Sequence, residues 1–173
     1  MKKTLIILCM AFFSYTASTA QSSYGLTAGY YSYIEKVNTG GLSLSENAAG
    51  FFVGVFGEFT LSKYIKLQAE TQFTSVYNNA QNLQQLVFPI LFKYQVDDKF
   101  SVALGPQFDY ILEDLPLGKE FGLALGAGLF YDFSDKFYAT FRYAYGITER
   151  VEDNPNDLSG GISGANLGIG FRF

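Results

Sequence analysis

The chain has 173 residues, with 12 Lys and Arg against 16 Asp and Glu, no His, one Cys, and 18% aromatic residues drawn from 13 Tyr and 18 Phe. The negative balance argues against a nucleic-acid partner, whose phosphates attract basic surfaces, and the lack of His removes the commonest general base and metal ligand. A single Cys excludes an internal disulfide framework.

Residues 1–20 read as a cleaved signal peptide. Lys2 and Lys3 form a positive start, Leu5 to Phe13 a short apolar core, and Ser18-Thr19-Ala20 a small-residue cleavage site before Gln21. The apolar run is too short for a spanning helix. A lipid anchor on Cys9 is disfavoured because Leu8 before it is not small. Residues 21–173 then form one domain. No later run approaches the roughly 20 apolar residues of a helical span, so any membrane span is built from strands.

Eight strands follow. They run from Tyr24 to Tyr31, Phe51 to Leu61, Ile65 to Ser75, Gln84 to Val96, Phe100 to Leu112, Phe121 to Phe133, Phe137 to Ile147 and Ala165 to Phe173. Most approach the 9–11 residues of a tilted strand crossing a bilayer. Three connections share one pattern about 35 residues apart: Phe59 to Leu67, Tyr94 to Val102 and Tyr131 to Ala139. Each is apolar-x-apolar, a tight polar turn, then apolar-x-apolar, with Ser or Asp available to bond nearby backbone. The other connections are expected to be loops: Ser32 to Gly50, Val76 to Leu83, Glu113 to Glu120 and the acidic stretch Thr148 to Gly164. Tight turns on one rim and longer loops on the other are the asymmetry of an outer-membrane barrel. Pro89 and Pro106 inside strand patterns are expected to mark bulges or kinks.

Charge tests this reading. Side chains alternate between the two faces of a strand, and Arg or Lys facing lipid near the midplane costs roughly 2–4 kcal/mol. Placing the apolar residues outward puts Glu58, Lys66, Glu70, Lys93, Asp109, Asp132, Arg142 and Arg172 inward. These four acids and four bases balance in the lumen, where Arg142 and Arg172 are expected to reach the acids. The sixth strand adds small inward residues, Gly122, Ala124, Gly126 and Gly128, which let large neighbours pass close to the backbone. The outer loops carry the excess, nine acids against Lys36, Lys119 and Arg150. The expected fold is all-β, an eight-stranded antiparallel up-and-down transmembrane β-barrel.

The residues also resemble a known family. Gly50 to Phe59, Leu61-Ser62 with Leu67 to Glu70, Val87 to Tyr94, Gly105-Pro106-Gln107, Gly126-Ala127-Gly128 and the ending Gly168 to Phe173 resemble the outer-membrane β-barrel domain family, in particular the PorT-like small barrels of Gram-negative bacteria. The resemblance implies an eight-stranded barrel in the cell outer membrane. It implies no reaction and carries over no catalytic residue, since fold does not determine function.

Three classes of function remain to be weighed. The leading expectation is a non-enzymatic barrel with a side-chain-plugged polar lumen, because eight strands enclose space just filled by side chains. It needs no cofactor or metal. Its partners are outer-membrane lipid and lipopolysaccharide, and the barrel-assembly machinery through the C-terminal strand ending in Phe173, with the chain a monomer. A narrow channel for small solutes is the alternative. A membrane-embedded hydrolase is disfavoured, because Ser159, Ser163, Asp153 and Asp157 share a loop without catalytic spacing. A binding or adhesion module would use Glu149, Glu152, Asp153 and Asp157, which offer oxygen ligands without EF-hand spacing.

Overall fold

Alternation of apolar and polar residues is resolved by closing one sheet on itself, so that every strand has one lipid-facing and one enclosed side. The structure, a computed structural model, describes residues 22–39, 42–77, 82–113, 119–148 and 159–173. They form β1 (Ser22–Thr39), β2 (Leu42–Thr60), β3 (Ile65–Tyr77), β4 (Asn82–Gln95), β5 (Phe100–Ile111), β6 (Phe121–Asp132), β7 (Phe137–Gly146) and β8 (Ser159–Arg172). Each strand pairs antiparallel with the next, and β8 pairs with β1 to close an up-and-down barrel. Beyond β8, the Phe173 N–H donates to the Tyr24 carbonyl at 2.9 Å.

The three repeated turns are alike in hydrogen bonding as well as in sequence. In each, two successive N–H groups donate to one carbonyl: Leu61 and Ser62 to Ile65, Val96 and Asp97 to Phe100, Phe133 and Ser134 to Phe137. The second turn residue then accepts through its side chain. Ser62 Oγ takes the Tyr64 N–H, Asp97 Oδ1 takes those of Lys99 (2.8 Å) and Phe100 (2.7 Å), and Ser134 Oγ takes that of Phe137. Asp97→Ala removes the acceptor of both bonds at an exposed site and is expected to cost about 1 kcal/mol. Chemical denaturation of the barrel in lipid vesicles measures it, and an unchanged midpoint would contradict the role given to this side chain.

The outer surface is a belt of exposed apolar side chains, among them Leu26, Val53, Val55, Phe92, Leu104, Leu125, Phe141, Leu167 and Ile169. Facing water, such a belt would be untenable. Facing hydrocarbon, it is the surface a spanning barrel needs.

Three expectations are corrected. The stretch from Ser32 to Gly50 is not a loop: β1 and β2 pair without interruption from Ser22↔Phe59 to Thr39↔Leu42. Gly40-Gly41 between them is a two-residue hairpin signal that the reading as a loop overlooked. Likewise, Ser159 to Gly164 of the acidic loop belongs to β8, paired with β1 up to Asn38↔Ser159. In both places the backbones satisfy one another, so strand persists where no lipid-facing alternation announces it. Finally, of the bulge or kink expected at each proline the bulge is absent, while β4 and β5 run unbroken through both. The β3–β4 and β4–β5 registers are the same before and after Pro89 and Pro106, with only a local gap in pairing. A missing N–H interrupts the ladder without inserting a residue.

Candidate functional site

Among the described residues, charged side chains from seven strands converge on the enclosed face of the barrel. Glu58 from β2, Glu70 and Lys66 from β3, Lys93 from β4, Asp109 from β5, Asp132 from β6, Arg142 from β7 and Arg172 from β8 all lie on it. Strand register, not loop conformation, holds each of them.

Two carboxylates organise the network. Glu58, 3% exposed, receives Lys93 Nζ at 2.6 Å and Lys66 Nζ at 3.1 Å, with Arg172 Nε at 3.7 Å. Arg172 also donates to Asp132 at 2.8 Å. Glu70 accepts from Arg142 at 2.8 Å and from the amides of Gln68 and Gln72. Gln68 joins the two centres, since its carbonyl oxygen accepts from Lys93 at 3.0 Å while its amide serves Glu70. A continuous polar thread thus runs from Asp132 through Arg172, Glu58, Lys93, Gln68 and Glu70 to Arg142. Buried ion pairs are tolerable when their remaining polar atoms are bonded. Most here are, although Gln72 Oε1, Thr140 Oγ1, the Nε and Nη2 of Arg142 and the Nε of Arg172 make no hydrogen bond within the protein, so Arg172 meets Glu58 as an ion pair only. Asp109 is buried in the lumen from β5 and is also engaged.

The lumen is not purely polar, which corrects the expectation drawn from the sequence. Two clusters of rings and aliphatic groups fill it. One is Phe56, Leu91, Ala103, Phe130 and Tyr138. The other is Tyr31, Tyr33, Ala48, Phe52 and Val76. The rings support the cations directly: Lys93 Nζ lies 4.2 Å from the Phe130 centroid, and the Arg172 guanidinium lies 4.7 Å from that of Tyr138. Such contacts strengthen when desolvated.

Glycines on the enclosed face make room for these side chains. A Cβ on Gly170 would stand 2.0 Å from Tyr138 Cζ, one on Gly168 2.6 Å from Phe52 Cζ, and one on Gly128 2.8 Å from Arg142 Cγ. Gly128 therefore does what was expected of the small β6 residues, whereas a Cβ on Gly126 would meet only ordinary contacts. Residue type alone hides the inward rings, because Phe and Tyr suit lipid equally well. The signal was present nonetheless: Phe52 and Phe56 share the parity of Glu58, Phe130 that of Asp132, and Tyr138 that of Arg142.

At the turn rim the lumen opens into a cavity of about 700 Å³, bounded by Glu58, Lys66, Asp132 and Arg172 with Asp98 and Asp135 from the turns. Among the described residues no group of three or more His, Cys, Asp or Glu side chains could hold a metal ion. Glu149, Glu152, Asp153 and Asp157 lie outside the described residues.

Fold, lipid-facing belt and enclosed charges together define an integral β-barrel of the bacterial outer membrane. The chain belongs to the outer membrane protein beta-barrel domain family, whose profile matches residues 5–173. No curated protein matches the sequence. Among solved structures it is similar to Ail, the attachment invasion locus protein of Yersinia pestis, with 16% identity, 88% of this chain and 99% of that one covered, and a TM-score of 0.56. It is also similar to OprG of Pseudomonas aeruginosa (10% identity, 89% and 97% covered, TM-score 0.51) and to Neisserial surface protein A (15%, 87% and 97%, TM-score 0.51). At these identities the likeness is one of fold.

Proposed function

We propose that the protein is a non-enzymatic, non-conducting outer-membrane barrel whose lumen is a structural plug and whose acidic outward loops meet the surroundings. The observation that carries this reading is the filled lumen: Phe52, Phe130 and Tyr138 are at most 1% exposed, and the Glu58 and Glu70 centres occupy the space beside them. Every Glu58 and Glu70 oxygen is committed to an ion pair or amide, which leaves neither as a free base for hydrolysis.

In this reading residues 1–20 are removed as a signal peptide on export. The C-terminal strand ending in Phe173 is what the assembly machinery engages, and the folded chain is a monomer in lipid and lipopolysaccharide. The long-loop rim faces outward, because short turns lie on the periplasmic side of such barrels. Ail was solved in complex with the heparin analogue sucrose octasulfate. Nine acids against three bases in residues 32–50, 113–120 and 148–164, the strand extensions and loops of that rim, make a polyanion a poor partner for this chain.

The cavity at the turn rim supports a second reading, a narrow pore entered from that side. Reconstitution in a planar bilayer separates the two. The plug predicts no discrete conductance steps in 1 M KCl, and reproducible single-channel openings would replace it with the pore.

A further inference from the structure

β1 and β2, at 18 and 19 residues, are longer than the 10–14 residues of the other strands. The excess lies at the rim opposite the tight turns. The last β2–β3 pair there is Ala49↔Tyr77, and the last β7–β8 pair is Ala144↔Gly164. Beyond these pairs β8, β1 and β2 continue together as a three-stranded ribbon, to Asn38↔Ser159 on one side and Thr39↔Leu42 on the other. Among the described residues, Leu42–Ala48 therefore pairs with β1 alone and presents an open edge about 24 Å long.

The hydrogen-bonding side of this edge follows from the register. The Leu61 N–H donates toward β3, to the Ile65 carbonyl. Backbone direction alternates along a strand, and the β1–β2 pairing has no bulge down to Thr39↔Leu42. Ser43, Ser45 and Asn47 accordingly turn their N–H and C=O groups to the open side. Edges of this kind are usually blunted by Pro, Lys or a bulge. The stretch Leu42-Ser43-Leu44-Ser45-Glu46-Asn47-Ala48 has neither Pro nor Lys, its pairing with β1 has no bulge, and Glu46 is its single charge.

We propose that the β2 edge at Leu42–Ala48 is a docking site for an extended, basic segment of a soluble polypeptide, which adds as a strand antiparallel to β2. The proposal rests on the reading of this rim as the outward one. Direction selects the occupant. β2 and β8 both run from the long-loop rim toward the turn rim, and copies in one membrane share that orientation. Two copies meeting edge to edge would thus pair parallel, the less stable arrangement. A soluble segment is free to run the other way. Size agrees, because a seven-residue edge falls far short of the roughly 1,600 Å² of a standard stable interface but suits a peptide strand. The guest would continue the β2–β3 ladder beyond Tyr77, and the acidic outer loops favour a cationic guest.

The test uses the full barrel in lipid nanodiscs and a labelled ten-residue peptide of alternating Lys and Val. Its partners are the same peptide N-methylated on one hydrogen-bonding edge and a Glu/Val counterpart. The Lys/Val peptide is expected to bind and to slow amide exchange at Ser43, Ser45 and Asn47. The N-methylated and Glu/Val peptides should each bind at least tenfold more weakly. Ser43→Pro with Ser45→Pro removes two edge donors and none of the β1–β2 bonds, and should weaken binding tenfold or more while heat-modifiable gel migration shows the barrel intact. No binding, equal binding of the N-methylated peptide, or protection of the edge only by self-association of the barrel would each overturn the proposal. These outcomes are independent of conductance, so a failure here is distinguishable from a failure of the plug.

Discussion

Replacing Glu58 by Gln is expected to cost the barrel about 3–5 kcal/mol, because breaking a buried pair strands the remaining charge. The stranded group is Lys93. It is 3% exposed, and without the Glu58 carboxylate at 2.6 Å it keeps the Gln68 carbonyl and the faces of Phe130 and Tyr138, but no counter-charge in direct contact. The other two cations lose less: the Lys66 side chain is one-third exposed and can turn to water, and Arg172 retains Asp132 at 2.8 Å. The converse change, Lys93→Met, should be markedly milder, since Glu58 keeps Lys66 and Arg172. Combining the two should recover more than half of the loss from Glu58→Gln. Urea titration in lipid vesicles, followed by far-UV circular dichroism because the chain has no Trp, measures all three. Equal costs for the two single changes would refute the view that Glu58 is the centre of the network.

The asymmetry between Glu58 and Lys93 could not be read before the structure, although the inward placement of both could. Lipid penalises charge heavily, and with period two a single charged residue assigns a face to a whole strand. Glu58, Lys93, Arg142 and Arg172 thereby announce the enclosed side of β2, β4, β7 and β8. Partner choice is another matter, since it depends on how far each strand is staggered around the barrel. Arg142 and Glu70, 72 positions apart in sequence, meet at 2.8 Å only because that stagger brings them together.

Hydrophobicity also misleads within the lumen. Phe52 and Phe56 look like lipid-facing residues by type, and only their parity with Glu58 shows that they point inward. Outside the bilayer the alternation disappears. Ile34 to Thr39 carries no lipid-facing pattern, so its pairing is announced only by Gly40-Gly41 and the short alternation Leu42-Ser43-Leu44-Ser45 that follows.

Gly170→Ala is expected to destabilise the barrel by about 1–3 kcal/mol, the usual range for overpacking a filled interior. Gly170 lies directly opposite Tyr138 in the β7–β8 ladder. An added Cβ would stand 2.0 Å from the ring's Cζ and 2.2 Å from its Cε1, so the ring must move. It has nowhere convenient to go: Phe56 and Phe130 hold it at centroid distances of 5.7 Å on two sides, and the Arg172 guanidinium lies 4.7 Å from its centroid. The same substitution at Gly57 provides the control, because there the nearest atoms are 3.4–3.5 Å from the added carbon and the effect should be near zero. In a Tyr138→Leu background, Gly170→Ala should cost far less than in the wild type, giving a coupling energy of roughly the full single-site loss. If Gly170→Ala costs the same with and without the ring, backbone conformation rather than ring packing explains the glycine, and the steric account of the lumen is wrong at that point.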